Sequence, residues 1–379
     1  MTFSFPELAP SSVAALKIIS ERMFFMDHLK QIAARLGEYK LDAMLCSSVP
    51  GERYAVGLHG EGYAIVAPAA ARYITDPRYS EVAKDTVKNA EVCVIGQGHS
   101  AVDVLNEFID AQNIKTLGIE EGYMSLGQYE QLKDGLHARL VPAGALINTL
   151  RSSKDAEEFA LMLEAQRITD ETFTAMLDYI QPGMTEAHIA AKLVFELLSR
   201  GAQKTSFDPI VASGPNGSKP HAIPGSRQVQ KGDFITMDFG CIYGGYCSDM
   251  TRTIALGQVS DDQRKVYETV LAAQKAGIAA SRAGVPGSTI HKTAAKVIED
   301  AGYGRFFGHG YGHSLGLEIH ETPNARPNDH TPMPLGAMVS AEPGIYIPGQ
   351  FGVRIEDVVR MEADGVTDIT KSPKELIIL

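Results

Sequence analysis

Four acidic residues lie in apolar, strand-like stretches in the second half of this 379-residue chain. They are Asp238, Asp249, Glu342 and Glu356. A carboxylate in such surroundings is costly unless positive charge lies close to it. The pattern therefore predicts a buried site that holds a cation.

The segment FITMDFGCIYGGYCSDMTRTIAL (234–256) is typical of a β-hairpin that turns at Gly244–Gly245. Asp238 and Asp249 lie in its two apolar arms at nearly equal distances from the turn. We therefore expect the two carboxylates to lie near each other across the strand pair, on one face. The alternative without metal is one protonated aspartate beside an arginine, either Arg252 or Arg354.

The segment GHGYGHSLGLEIHE (308–321) contains three histidines beside two glutamates. The histidines are His309, His313 and His320. A single histidine is usually structural, whereas three beside acids favour metal ligands or catalytic groups. The segment is rich in glycine and not clearly helical, so spacing does not show which histidine binds metal.

Several carboxylates with one imidazole form a donor set that is mostly oxygen. Such a set suits Mn²⁺, Co²⁺ or Fe²⁺ at least as well as Zn²⁺, and it suits Mg²⁺ less. If two ions share five side chains, at least one carboxylate bridges them. Two ions roughly 3.5 Å apart can lower the pKa of a bridging water and generate a hydroxide nucleophile. The candidate chemistry is therefore hydrolysis at a two-metal site.

The elements before these residues predict an α/β domain over 26–150, preceded by an extension, residues 1–25. MDHLKQIAARLGEYK (26–40) has helical spacing, and further helices are predicted over 78–88 and 100–112. Short apolar runs predict strands over 41–47, 62–68, 71–76, 91–96, 115–120 and 138–142. Alternating helices and strands are typical of an α/β domain.

Between about 146 and 156, the polar stretch INTLRSSKDAE (147–157) predicts a linker that runs into a long amphipathic helix, with Ser153 or Asp155 as its cap. Pro182–Gly183 ends that helix. Three further helices are predicted over 185–200, 261–282 and 287–301. Strands and glycine-rich turns fill the rest, which predicts an α+β domain over 151–379 that carries all the candidate residues.

Composition argues against several classes of protein. A net charge of −11 disfavours a nucleic-acid or anionic-membrane partner. The chain lacks the apolar run of about 18 residues expected of a membrane span and begins without a basic region, so we expect a cytoplasmic protein. Its four cysteines lack zinc-site spacing and indicate reduced thiols, with a Cys241–Cys247 disulfide as the alternative.

The motifs D-F-G, S-D-M-T-R-T, G-H-G-Y-G-H-S-L-G-L-E-I-H-E, A-E-P-G-I-Y and V-R-I-E-D resemble the pita-bread metallopeptidases, in the branch of the Xaa-Pro aminopeptidases and prolidases. They occur in the family's order within about 155–379. Tyr73–Asp76 with Arg78–Tyr79 more weakly resembles the family's N-terminal domain. The resemblance implies an α/β creatinase-type domain followed by an α+β pita-bread (creatinase/aminopeptidase-like) catalytic domain.

The resemblance also implies roles for individual residues. The ligands of two divalent ions are Asp238, Asp249, His313, Glu342 and Glu356. Manganese is the expected metal, with cobalt, iron and zinc as alternatives, and Glu356 is the expected bridge. Glu342 corresponds to a general base. The remaining positions are His221 in the substrate pocket, His309 and His320 against the substrate and the tetrahedral intermediate, and Arg354 holding an aspartate ligand.

The implied reaction is cleavage before proline in a small peptide with proline in the second position. An Xaa-Pro aminopeptidase is the main interpretation and an Xaa-Pro dipeptidase (prolidase) the alternative. Some prolidase-like members carry a basic residue directly after the proline that matches Pro323. Here Asn324 follows and Arg326 comes two positions later, which leaves dipeptide specificity open.

Other members of this fold are disfavoured. The large N-terminal domain argues against a methionine aminopeptidase. The intact ligand positions argue against a creatinase-like amidinohydrolase and against a non-catalytic binding module. The resemblance further implies a homodimer.

Overall fold

A computed structural model describes residues 27–96 and 98–379. The extension predicted over 1–25 lies outside the described residues. The first half contains a six-stranded mixed sheet in the order β4-β3-β2-β1-β5-β6. Its strands are β1 (Ala43–Cys46), β2 (Tyr63–Val66), β3 (Ala71–Thr75), β4 (Glu91–Val94), β5 (Thr116–Ile119) and β6 (Arg139–Pro142). Each lies within the run of residues predicted for it.

Helices cover both faces of this sheet, where two apolar cores form. They are α1 (His28–Arg35), α2 (Val49–Val56), α3 (Ser80–Thr86), α4 (Ala101–Ala111), α5 (Leu126–Gly135) and α6 (Gly144–Arg151). The sequence patterns predicted α1, α3 and α4 but not α2 or α5. The linker predicted over 146–156 is wrong at its start, because Leu146 and Ile147 are fully buried and hold α6 against the core.

The second half contains four helices, all of them predicted. They are α7 (Ala156–Tyr179), α8 (Glu186–Ser199), α9 (Asp261–Ala280) and α10 (Gly287–Asp300). Asp155 caps α7 by accepting from the amides of Glu157 and Glu158. Ser153, the other candidate cap, donates instead to the carbonyl of Leu335 at 2.7 Å.

Thirteen short strands of the described chain form the small sheets of this half. They are β7 (Lys204–Thr205), β8 (Ile210–Ser213), β9 (Phe234–Phe239), β10 (Cys241–Tyr243), β11 (Tyr246–Cys247), β12 (Met250–Ala255), β13 (Gly312–Ser314), β14 (Glu321–Ala325), β15 (Met338–Ala341), β16 (Gly344–Ile347), β17 (Phe351–Arg354), β18 (Asp357–Met361) and β19 (Val366–Asp368). Two sheets, β12-β9-β8 and β14-β13-β15-β18-β19, carry the candidate site. Apolar cores under the helices hold both in place.

The predicted hairpin forms and turns at Gly244–Gly245, where Tyr243 pairs with Tyr246. Both turn glycines have positive φ, 56° and 89°, as a two-residue hairpin turn requires. All four cysteines are free thiols, so the Cys241–Cys247 disulfide considered above does not form. Among the described residues, none of the helices has the length and apolarity needed to cross a bilayer.

Candidate active site

The two aspartates lie on one face of the β9–β12 pair. In the register of this pair Asp238 lies opposite Thr251. Asp249 precedes Thr251 by two residues, so alternation places both on the same face. The carboxylates are therefore diagonal neighbours across the ladder rather than directly opposed. This agrees with the prediction of nearby carboxylates on one face.

The two glutamates lie at one end of the β15–β18 pair. Ala341 pairs with Asp357, so the next residues outward, Glu342 and Glu356, continue the same antiparallel register. His313 lies in β13, whose residue Ser314 pairs with Val339 of β15. One sheet thus supplies two glutamates and a histidine, and the other supplies two aspartates.

The two groups of side chains converge. Ligand atoms of Asp249, His313 and Glu356 all lie within 4.8 Å of one another. Nε2 of His313 lies 3.6 Å from Oδ2 of Asp249 and 3.4 Å from Oε1 of Glu342. These separations suit side chains arranged around a central cation.

Three oxygens of this cluster are buried without a hydrogen-bond partner in the described part of the chain: Oδ1 of Asp238, Oδ1 of Asp249 and Oε1 of Glu356. An unpartnered buried acceptor is costly, and native proteins contain few. Three in one cluster, beside an imidazole, provide free lone pairs for divalent ions. The residues present therefore fit the metal centre that the sequence predicted.

Burial also shifts the protonation of the cluster. Burial, with Asp238 nearby, raises the pKa of Asp249 well above its usual range. Burial, with Asp249 nearby, raises the pKa of Glu356 in the same way. Burial raises the pKa of Glu342 to about 7 and lowers the pKa of His313. Without a cation the acids therefore hold protons, and bound metal would displace them.

Arg354 lies beside the cluster and is linked to Glu356 through Thr251. Its Nη2 donates to Oδ2 of Asp238, and its Nε donates to the hydroxyl of Thr251 at 3.0 Å. That hydroxyl in turn donates to Oε2 of Glu356 at 2.6 Å. Of the two arginines considered as partners of the aspartates, Arg354 is therefore the one at the site. Arg252 forms its ion pair with Asp357.

His309 is held by hydrogen bonds on both ring nitrogens. Its Nδ1 lies 2.8 Å from the carbonyl of Gly310 and its Nε2 lies 2.9 Å from the hydroxyl of Tyr346. A carbonyl only accepts, so Nδ1 carries the proton and Nε2 accepts from the tyrosine. Burial, with Arg354 nearby, lowers the pKa of His309 to about 4. The ring is therefore neutral near pH 7.

All nine predicted residues line one cavity of about 880 Å³. They are His221, Asp238, Asp249, His309, His313, His320, Glu342, Arg354 and Glu356. The ring of His320 lies against that of His313, with centroids 4.4 Å apart and the planes inclined by 73°. Burial lowers the pKa of His320.

Sequence reasoning missed two kinds of residue here. Thr251 and Tyr346 connect the site by hydrogen bonds. The strand alternation that starts at Asp249 would have identified Thr251. Tyr123 and Asn148, from the first half of the chain, also line the cavity. No local pattern marks them, because only the packing of the two halves brings them there.

Comparisons with known proteins agree with this geometry. Residues 160–363 match the metallopeptidase family M24, and residues 28–153 match the creatinase/prolidase N-terminal domain. The peptidase YqhT of Bacillus subtilis, itself uncharacterized, is 39% identical over 353 residues, covering 93% of this chain and 99% of that protein.

Two solved structures have the same fold. An Xaa-Pro dipeptidase from Bacillus anthracis superimposes with a TM-score of 0.90 at 37% identity, covering 93% of this chain and 99% of that one. An X-Pro aminopeptidase from Thermotoga maritima superimposes with a TM-score of 0.85 at 32% identity, covering 91% and 100%. The fold class and the family resemblance predicted from the sequence are confirmed.

Proposed function

The chain belongs to metallopeptidase family M24, and we propose that it hydrolyses the bond between an N-terminal residue and a following proline at a two-metal site. The observation that carries the proposal is the cluster of buried, unpartnered carboxylate oxygens beside His313 in the cavity wall. The proposed ligands are Asp238, Asp249, His313, Glu342 and Glu356, with Glu356 as the bridge. When bound, two ions supply an activated water and polarise the scissile carbonyl. Manganese is the proposed metal, with cobalt, iron and zinc as alternatives.

Glu342 is the proposed general base. Without metal, burial raises the pKa of this carboxyl to about 7, so Glu342 takes up a proton more readily than an ordinary glutamate does. The hydroxyl of Ser340 lies 3.2 Å from Oε1 of Glu342 and helps to orient it. Glu342 therefore accepts the proton of the attacking water and holds it for the leaving group.

The leaving nitrogen belongs to proline, which has no N–H in the peptide. It must be protonated as the bond breaks. The proton that Glu342 holds is suited to this step. His320 and His221, which line the cavity, are the proposed contacts for the substrate carbonyl and the proline ring. His309, held through Tyr346, completes that wall in its neutral form.

The aminopeptidase interpretation is supported by the size of the cavity. Its volume of about 880 Å³ lies toward the upper end of ordinary small-ligand sites. We propose that residues after the proline occupy the remaining space. Exposed Ile223, at the cavity wall, offers an apolar surface for them.

The dipeptidase is a second candidate because of Arg326. This exposed residue lines the cavity, and its guanidinium is not within ion-pair distance of any carboxylate among residues 27–96 and 98–379. A free guanidinium can bind the carboxylate of an Xaa-Pro dipeptide. The related structures described above include enzymes of both names.

A peptide-length series separates the two candidates. Protein loaded with Mn²⁺ is incubated with Xaa-Pro, Xaa-Pro-Yaa and longer peptides, and the released amino acid is measured. Release from Xaa-Pro-Yaa supports the aminopeptidase, and release from dipeptides alone supports the dipeptidase. Arg326→Ala should impair the dipeptide reaction selectively only in the second case. Hydrolysis of none of these peptides, with metal bound, refutes the proposed function.

We also propose that the protein is a cytoplasmic homodimer that acts on small peptides and does not bind nucleic acid or membranes. The acidic net charge of −11 and the four free thiols support this setting. Light scattering of the purified protein tests the dimer. A monomeric mass for the active enzyme contradicts it.

A further inference from the structure

The strands that supply the metal-facing side chains have a second, buried side that carries its own charges. Alternation from Asp249 onward directs Thr251 to the cavity and Arg252 to the opposite side. There Arg252 meets Asp357, the residue that follows Glu356. Nη2 of Arg252 donates to Oδ1 of Asp357 at 2.7 Å, and the two side chains are 1% and 0% exposed.

Arg252 also holds the backbone of the metal-facing residue itself. Its Nη1 donates to the carbonyl of Glu356. Its Nε donates to the carbonyl of Pro373 at 2.9 Å, and its Nη2 also donates to the carbonyl of Ser372 at 2.8 Å. One guanidinium therefore ties Glu356 to the C-terminal segment 372–379.

The second oxygen of Asp357 is bound from two other elements. Nε2 of Gln274, on α9, donates to Oδ2 at 2.7 Å, and Nζ of Lys374 contacts the same oxygen. Lys374 also lies 2.8 Å from Oδ2 of Asp368. Two cations and two carboxylates balance in this cluster, which makes its burial tolerable.

The C-terminal segment is fixed over this cluster by its backbone. The amide of Ala255 donates to the carbonyl of Ile377, and the amide of Leu379 donates to the carbonyl of Ala255, both at 2.9 Å. Residue 255 ends β12, the strand that carries Thr251 and Arg252. The segment therefore continues the β9–β12 sheet behind the cavity.

We propose that Arg252, Asp357 and Lys374 are positioning residues for Glu356, so that the C-terminal segment 372–379 sets the metal affinity of the site. The inference rests on the proposed function, because it takes Glu356 to be a metal ligand. Metal affinity depends on how firmly partners of the ligands hold them. Here the hydrogen bonds are made to the backbone carbonyl of Glu356 and to the side chain of the next residue, Asp357, rather than to the carboxylate of Glu356.

Metal titration calorimetry tests the inference on the full chain. Lys374→Met and Gln274→Met each remove one donor to Oδ2 of Asp357, from different elements. Lys371→Met is the matched control, since this exposed lysine directly precedes the segment and its side chain donates to the backbone carbonyl of Asp368 rather than to Asp357. We expect each test variant to bind Mn²⁺ about 10-fold more weakly and the control to bind like the parent. The kcat of the test variants at saturating Mn²⁺ should fall far less than their affinity.

Each outcome has a distinct meaning. A parent protein that binds no metal refutes the proposed function. A parent that binds metal, with test variants of unchanged Kd, overturns the positioning role even if their melting temperatures fall. If Lys374→Met does not fold, the Gln274→Met variant decides, because it acts on the same carboxylate oxygen.

Discussion

At the residue scale, three acids of the cluster, Asp249, Glu342 and Glu356, bind protons more readily than ordinary carboxyls in the absence of metal. Burial raises the pKa of Glu342 to about 7 from an ordinary value of 4.5, and it raises the pKa of Asp249 and Glu356 as well. At a pH between the ordinary pKa of these carboxyls and their raised pKa in the fold, the folded metal-free chain binds more protons than the unfolded chain. Its free energy of unfolding therefore falls as pH rises through this window.

We predict that the urea midpoint of the metal-free protein falls between about pH 5 and pH 7.5. Saturating Mn²⁺ should flatten or reverse this slope, because the ions replace the protons that the acids lose. Glu342→Gln, which removes the group titrating near pH 7, should weaken the dependence in the metal-free state. A midpoint that does not change with pH in metal-free protein contradicts this account.

Arg354 gives a second prediction at this scale. Its guanidinium contacts Asp238, Thr251 and Tyr346 at once, and a lysine amine cannot reproduce that geometry. We predict that Arg354→Lys weakens Mn²⁺ binding by about 10- to 100-fold, measured by calorimetry. Arg360→Lys is the control, because Arg360 lies outside the cavity and pairs with Glu362. If both variants bind Mn²⁺ with equal affinity, Arg354 does not contribute to metal binding.

At the scale of elements, the loop between β13 and β14 carries His320 and is held by the first half of the chain. The hydroxyl of Tyr123 donates to Glu318, which also accepts from Nη2 of Arg151 at 2.7 Å. The same nitrogen donates to Glu321 at 2.6 Å. This part of the cavity wall is thus built from both halves of the chain.

We predict that Tyr123→Phe raises the KM for a peptide by about 3- to 10-fold and changes kcat little. The hydroxyl bonds to a carboxylate, but the tyrosine is partly exposed, so the effect lies at the lower end for a bond to a charged group. Tyr129→Phe, on α5 outside the cavity, is the control. A fall in kcat with constant KM would assign Tyr123 to the chemistry instead.

The elements also show how far sequence reasoning extends. The hairpin and its acids were predictable, because apolar alternation around Gly244–Gly245 fixes both the turn and the face. Helix α6 was not predictable, because the stretch 146–156 is mostly polar. Its two residues Leu146 and Ile147 are buried, and only the fold shows this. Alternation from Asp249 disfavours Arg252, because it places that side chain on the face of β12 opposite to the aspartates. The contact of Arg354 with Asp238 could not be predicted from spacing, because Arg354 lies on β17 in another sheet and only the fold brings it to β9.

At the scale of the whole molecule, the proposed ligands come from two separate sheets. Asp238 and Asp249 belong to the β8–β9–β12 side, whereas His313, Glu342 and Glu356 belong to the β13–β15–β18 side. Without metal, the carboxylates at this junction repel one another or keep their protons. Ions held by the proposed ligands would therefore cross-link two parts of the second half of the chain.

We predict that removing metal with a chelator lowers the melting temperature by several degrees, and that Mn²⁺ restores it. A ligand that binds only the folded state, at about 100 times its Kd, contributes about 2.7 kcal/mol. For a domain of this size, that corresponds to roughly 5 to 10 °C. Asp249→Asn should lose most of this metal-dependent shift, because the cross-link needs ligands from both sheets. Glu164→Gln, on the exposed face of α7, should keep it. If the parent protein melts at the same temperature in chelator and in Mn²⁺, packing alone holds the two sheets together.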